Sequence, residues 1–331
     1  MTSRRPVIIP ATMARPIVLG VVGDSAAGKT TLTRGLIRVV GEDQVTRISA
    51  DDYHRYDRRE RRQLNITPLH PDANHLDVLT SHLVQLRRGE GVLKPVYDHR
   101  NGTLCRPVYM QASRFLVIEG LLNFHTESLR TAHDVRVFLA PAEQLRRAWK
   151  LKRDCTRRSY TTDEVLQQLD MREQDAAQFI QPQQHHADIV VSFAAGGRNN
   201  DPSHLDAEVM LHDTLPHPDL SPLVDGTPDG PQVIRCERDL LLRIPGDISP
   251  GHAAELEAAM WERMSFASHL RARRLGEFTV GTDLHRSESL ALVQLLVLYH
   301  LVWARASVAT GGEPPRVDGR RRIGDDSALH A

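Results

Sequence analysis

Short runs rich in β-branched and apolar residues recur through the first part of the chain: Ile17 to Val22, Val45 to Ser49, Phe115 to Ile118, Asp134 to Leu139 and Ala187 to Phe193. Runs of this length bounded by turn residues predict strands, and the unbroken apolar ones at Ile17 and Phe115 predict buried strands. Between them apolar positions return every three or four residues, over Leu32 to Val40, through Leu76, Val78, Leu79, Leu83 and Leu86, and again over Ala142 to Arg153 and Glu164 to Gln178. That period predicts packed amphipathic helices. Strands alternating with helices imply an α/β fold with a mostly parallel sheet and helices on both faces. Beyond Ala194 the pattern weakens into Gly, Asn, Asp, Pro and His. One strand is expected over Ala207 to Leu211, edge strands within Val233 to Ile244, and two helices over Ser249 to Arg274 and Ser287 to Ala306. The organisation read from this is an arm over 1–15, a core over 16–193, a C-terminal segment over 194–306 adding strands and two helices, and a polar tail over 307–331.

The stretch IVLGVVGDSAAGKTT, Ile17 to Thr31, carries the chemistry most openly. A buried strand runs into a glycine loop that opens a helix, the context that makes a phosphate-binding P-loop credible. Backbone N–H groups at such a helix start face an anion. Gly23, Asp24, Ser25, Ala26, Ala27, Gly28, Lys29, Thr30 and Thr31 are therefore read as the nucleoside triphosphate site, with Lys29 on the β- and γ-phosphates and Thr30 able to bind Mg²⁺. The fold class is accordingly of P-loop NTPase type.

Two strands end on acids. In a doubly wound sheet the C-terminal strand ends face the ligand crevice. Asp51 and Asp52 follow the strand at Val45, and Glu119 follows the strand at Phe115. Glu119 is the expected magnesium-side carboxylate. Asp51 reads as facing the ligands, whereas Asp52 has a strong competing reading as a helix cap. The run Arg58, Arg59, Glu60, Arg61, Arg62 reads as a solvated helix face. Tyr97 and His99 lie in a short extended piece turned by Asn101 and Gly102, where such residues more often pack than act. From Arg153 to about 163 a basic connector reads equally as a lid over phosphates or as a solvated loop.

Charge and cysteine use narrow the classes. Lys plus Arg number 42 against 42 Asp plus Glu, which gives no sign of a nucleic-acid or membrane-surface partner. Three cysteines, widely spaced, fit neither a disulfide framework nor a zinc site and suggest a reducing cytosol. The Val7 to Ile9 run is too short for a signal peptide, and Leu290 to Ala304, broken by Gln294 and His300, too short to cross a bilayer. A cytoplasmic, soluble protein is expected. Nearly all basic residues are arginine, and the four lysines, Lys29, Lys94, Lys150 and Lys152, stand out as compact charges.

Taken in order, GDSAAGKTT, DDYHRYDRR, KPVYDHRNG, VIEGL, AWKLKRD and FIQPQQHHAD resemble the phosphoribulokinase/uridine kinase family, on its plant and cyanobacterial phosphoribulokinase side, from about Ile17 to Val191. The C-terminal part matches only in outline. The resemblance implies ATP and Mg²⁺ as cofactors, a small sugar phosphate as acceptor, a homodimer, and conversion of ribulose 5-phosphate to ribulose 1,5-bisphosphate. It assigns Asp51 as the base, Glu119 and Thr30 to the metal, and His54, Arg58, Tyr97 and His99 to the acceptor. Lys29, Lys150 and Arg153 would assist the transfer, and Asp154, Arg158 and Arg172 align with the lid and phosphate clamp. The plant enzymes of this family carry cysteines where this chain has Ala27 and Ser49, so thiol regulation is not implied. A uridine-kinase-like nucleoside kinase is the first alternative, since a nucleoside needs fewer cationic partners. A kinase of another phosphorylated sugar and a non-catalytic nucleotide-binding regulator are the others.

Overall fold

The computed structural model describes residues 14–157, 160–196, 204–224, 230–271, 274–280 and 282–317. Arg158 and most of the expected arm and tail lie outside them. The first strand, β1 (Ile17–Gly23), is buried along its whole length, as a central parallel strand of an α/β sheet must be. It leads into α1 (Lys29–Val40), then β2 (Val45–Ser49), the short α2 (Arg58–Gln63) and α3 (Leu76–Arg87). A hairpin follows, β3 (Val92–Asp98) and β4 (Thr103–Met110), turned at Asn101 and Gly102. Its first strand was expected as a short extended piece; the second has alternate residues exposed on both faces and so shows no burial pattern to read.

The chain returns through β5 (Phe115–Gly120), α4 (Glu127–Thr131), β6 (Val135–Leu139), α5 (Glu143–Arg157), α6 (Thr162–Asp175) and β7 (Ile189–Ala195). The C-terminal segment adds β8 (Leu205–Leu211), β9 (Gln232–Cys236), β10 (Asp239–Ile244), α7 (Pro250–Glu262), a small hairpin of β11 (Glu277–Val280) and β12 (Asp283–Arg286), and α8 (Glu288–Ala309). The main sheet has the order β2-β5-β1-β6-β7-β8-β10-β9. The first five strands run parallel and the last three extend the sheet antiparallel, which bears out the α/β expectation. Several elements differ in extent from the reading above, among them the helix expected over Ser249 to Arg274, which ends at Glu262 and is followed by a separate short helical turn over Ser265–Leu270. α5 passes through Arg153 and Asp154 to Arg157, because i,i+4 pairing of Lys150 with Asp154 continues its helical face. Residues 311–317, expected in the polar tail, are tied to the sheet by Arg316, which bonds Asp188 and the carbonyls of His133 and Asp134 beside the starts of β7 and β6.

α8 holds the P-loop helix. It is apolar nearly all round, and its 22 residues are long enough to cross a membrane by length and composition, longer than the expected apolar run. Of its most apolar 18-residue stretch 72% is buried inside the molecule, as for a core helix. Gln294, fully buried, accepts from Gly276 N and donates to the carbonyls of Thr31 and Leu32 in α1. The close approach is made at Gly35, where a Cβ would lie 2.0 Å from the Gln294 amide.

Burial also sets an acid limit on stability. Burial pushes the His300 imidazole down to about 3 and the His133 imidazole down to about 4. Nδ1 of His133 donates to Leu129 O at 2.7 Å, which opposes the shift, but burial outweighs it and keeps the ring neutral. Both groups stay unprotonated in the fold while the unfolded chain takes up protons near pH 6.5, so stability present at pH 7 is lost as pH falls. Each group contributes a slope approaching about 1.4 kcal/mol per pH unit once pH is below that of free histidine. Thermal melts should show Tm falling between pH 7 and pH 5, before the carboxylates titrate. A flat profile over that interval would contradict the buried neutral pair.

Candidate active site

The P-loop is built by β1 delivering the chain to Gly23 and α1 taking it away at Lys29. Gly28 caps α1 in the left-handed region, φ +92°, which an L side chain rarely adopts. Ala26 takes φ 66°, so the loop holds a non-glycine residue in the same sparse region. Nζ of Lys29 donates to the carbonyls of Gly23 at 2.7 Å and Asp24 at 2.9 Å. Burial lowers its pKa, while the carboxylates of Asp51, Asp24 and Glu119 oppose that shift.

Parallel pairing sets Ser49 of β2 opposite Glu119 of β5, with β5 next to β1. This order brings both acidic strand ends to the P-loop. Glu119 accepts from Thr30 Oγ1 at 2.7 Å through Oε2, and from Thr33 Oγ1 at 2.5 Å and Arg47 Nη2 at 3.2 Å through Oε1. A hydroxyl and a carboxylate this close are hard oxygen donors suited to Mg²⁺. Asp51 sits in the turn Ala50–Tyr53 directly after β2, partly exposed. Asp52 is neither a ligand nor a cap. It pairs with Lys94 and accepts from Tyr97 N at 3.0 Å, tying the turn to β3.

Beside this turn lies an aromatic and cationic stack. His54 is buried, with Nδ1 2.8 Å from Asn74 Oδ1, and its ring meets Tyr97 edge-on at 4.8 Å. Tyr97 meets His99 at 5.1 Å. Burial lowers the His54 pKa, Asp51 opposing and Arg61 and His99 adding to the shift. Arg58 leans on the turn, donating to His99 O at 2.5 Å and Arg100 O at 3.4 Å. Arg61 corrects the solvated-face reading of its run. It is only 8% exposed, donates to Tyr97 Oη at 2.6 Å and Tyr56 O at 2.5 Å, and lies 5.1 Å from the Tyr97 ring centroid. Nothing in the sequence marked it, because the helix has only six residues, all polar, and is too short to carry a period.

A third group comes from α5. Arg146, Lys150 and Arg153 are spaced i, i+4, i+7 and share one helix face. Arg146 donates to Ser25 O at 3.2 Å and lies 3.3 Å from Asp24, and Arg153 donates to Ser25 Oγ at 3.1 Å. Asp154 knits the face together, pairing with Lys150 at 2.9 Å and Arg153 at 2.8 Å. Burial alone would lift the Asp154 carboxyl; the bonds and charge of Arg153 and Lys150 outweigh it and bring it to about 2. Arg172 of α6 is partly exposed, within electrostatic range of Asp154, Asp24, Arg61 and Tyr160, and desolvation lowers its pKa. Arg146 was absent from the expected site, though its helical spacing to Lys150 and Arg153 would have pointed to it.

Cys105 on β4, Cys155 on α5 and Cys236 on β9 are all free. A disulfide needs Cα atoms within about 7 Å, and the positions 27 and 49 beside the nucleotide loop carry no sulfur. Activity is expected to be the same after oxidised and reduced dithiothreitol, with thiols counted in each state. A reversible loss accompanied by disappearance of two thiols would reveal a redox switch.

The family model described as phosphoribulokinase / uridine kinase matches residues 18–196. A phosphoribulokinase of Synechocystis sp. is 36% identical over 177 residues, 54% of this chain and 53% of that one. A uridine kinase of Oceanobacillus iheyensis is 32% identical over 193 residues, 57% of this chain and 91% of that one. The matched stretch thus spans about half the length of the phosphoribulokinase. The solved structure of a phosphoribulokinase from Rhodobacter spheroides superposes with TM-score 0.56 over 77% of this chain and 99% of that one, at 17% identity, a likeness of fold. The P-loop, the acidic strand ends and the family model that spans them establish that this chain belongs to the phosphoribulokinase/uridine kinase family.

Proposed function

We propose that this chain phosphorylates the C1 hydroxyl of ribulose 5-phosphate with ATP. The observation that carries the reading is the buried guanidinium of Arg61, with the partly exposed guanidinium of Arg172, beside the crevice that holds Asp51 and Lys29. Arg61 bonds a carbonyl and a phenol rather than a carboxylate, which suits an acceptor that brings its own phosphate. Phosphoryl transfer asks a protein mainly for positioning and charge neutralisation. Asp51 accepts the hydroxyl proton as the C1 oxygen bonds to the γ-phosphorus and the bond to the β,γ-bridging oxygen breaks. Lys29 and Arg153 meet the charge on the transferring group and the leaving diphosphate, and Lys150 is held for the same face by Asp154. Mg²⁺, held by Thr30 and Glu119, would supply charge neutralisation at the β- and γ-phosphates. His54, Arg58, Tyr97, His99 and Arg61 would shape the acceptor subsite, and Arg158 and Arg172 would clamp phosphate.

The near-complete coverage of a uridine kinase by the core favours nucleoside phosphorylation as the second reading. ADP release measured against pentose phosphates, pentoses and nucleosides decides between them. Turnover confined to ribulose 5-phosphate supports the proposal. Turnover of uridine or cytidine with none of any sugar phosphate would replace it.

A further inference from the structure

Arg47 is used by nothing in the reaction described above, yet it ends on the carboxylate that would serve the metal. It stands on β2, an edge strand of the main sheet, where charged side chains commonly serve only to keep the edge soluble. A side chain with that task alone would point its head into water. Arg47 instead runs along the strand toward the C-terminal rim and sets Nη2 3.2 Å from Glu119 Oε1. The register explains the reach: Arg47 pairs with Val117, and Glu119 lies one side-chain repeat further along β5, on the same face. The guanidinium remains half exposed, 47%, while Glu119 is 14% exposed, so the contact holds a mobile cation against a sheltered anion.

A carboxylate offers about four lone-pair sites. On Glu119 three donors already converge, Thr30, Thr33 and Arg47, and of these only Arg47 brings charge. A dication placed between Thr30 and Glu119 would sit within a few ångströms of that guanidinium and repel it. We infer that Arg47 is an internal counter-ion of Glu119 that a divalent cation has to displace, so that the chain holds metal less tightly than its oxygen donors alone would allow. The inference rests on the assignment of Thr30 and Glu119 to the metal. For an exposed cation the repulsion is screened, and Coulomb's law at a solvent-like dielectric puts its effect on metal affinity at roughly five- to twentyfold.

Mn²⁺ binding to the full chain, followed by the electron paramagnetic resonance of the free ion in the presence of a non-hydrolysable ATP analogue, tests this. Arg47→Ala and Arg47→Gln, each shown by thermal melting to be folded, should bind Mn²⁺ about five- to twentyfold more tightly than the parent chain. Arg47→Lys, which keeps the charge, should stay near the parent. Glu119→Gln serves as the control for the metal assignment and should weaken binding. Unchanged or weaker Mn²⁺ binding in both neutral Arg47 variants, with Glu119→Gln still impaired, would overturn the counter-ion role alone. Glu119→Gln binding Mn²⁺ as tightly as the parent would overturn the metal assignment and the inference with it.

Discussion

Asp51→Asn is expected to lose on the order of 10²- to 10⁴-fold in kcat while ATP binding survives, the loss typical of a removed general base. The expectation rests on position. Asp51 follows β2 at the rim where β5 delivers Glu119, within electrostatic range of Lys29 and His54. The neighbouring acid, Asp52, is engaged with Lys94 and the backbone of Tyr97, so it cannot substitute without undoing the link to β3. Single-turnover rates and nucleotide binding measured on the same variant separate the two effects. A kcat close to the parent's would remove Asp51 from the base role. Loss of nucleotide binding would show that the turn supports the P-loop instead.

Arg61→Ala should raise KM for the phosphorylated acceptor by about one to two decades and leave KM for ATP nearly unchanged. A lost charge-assisted hydrogen bond costs roughly 1.5–3 kcal/mol. Because Arg61 is buried, the same change leaves Tyr97 Oη without its donor and opens space beside the ring, so Tm should fall as well. Arg61→Lys separates these effects: it restores charge but not the planar fork. Arg58→Ala is the instructive comparison. Its guanidinium holds the carbonyls of the His99 turn, so it should also raise acceptor KM, through the position of His99, with a smaller loss of stability at a half-exposed site. Equal rises in KM for both substrates in the Arg61 variant would return it to a packing role.

Helical period alone could not find Arg61. In a run of four arginines about one glutamate every position looks equally hydrophilic, and which one turns inward depends on Tyr97, 36 residues away. The expected lid met a related limit. Charged residues from Arg153 onward read as a break in regularity, although they are the i,i+4 partners that continue α5. Hydrophobic patterning sees no reason to extend a helix whose face is made of paired charges.

What the sequence determined by itself was local. The strand, glycine loop and helix from Ile17 to Val40 are legible because their backbone angles and burial need particular residues at adjacent positions, and Gly28 can be recognised without knowing its neighbours in space. The apolar runs likewise announce the parallel strands, since a strand buried on both faces must be apolar throughout. Only the tertiary structure decided which strand ends meet. Inserting β5 between β2 and β1 carries Glu119 to Thr30 and Thr33, 86 to 89 residues back along the chain, and packing α5 against the loop brings Arg153 to Ser25, 128 residues away. The same holds for Gln294, whose polar side chain interrupts an apolar run until Gly35 shows the gap it fills beside α1. Such contacts follow from strand order and helix packing. These depend on burying apolar area across the whole domain, and no short window of residues contains that information.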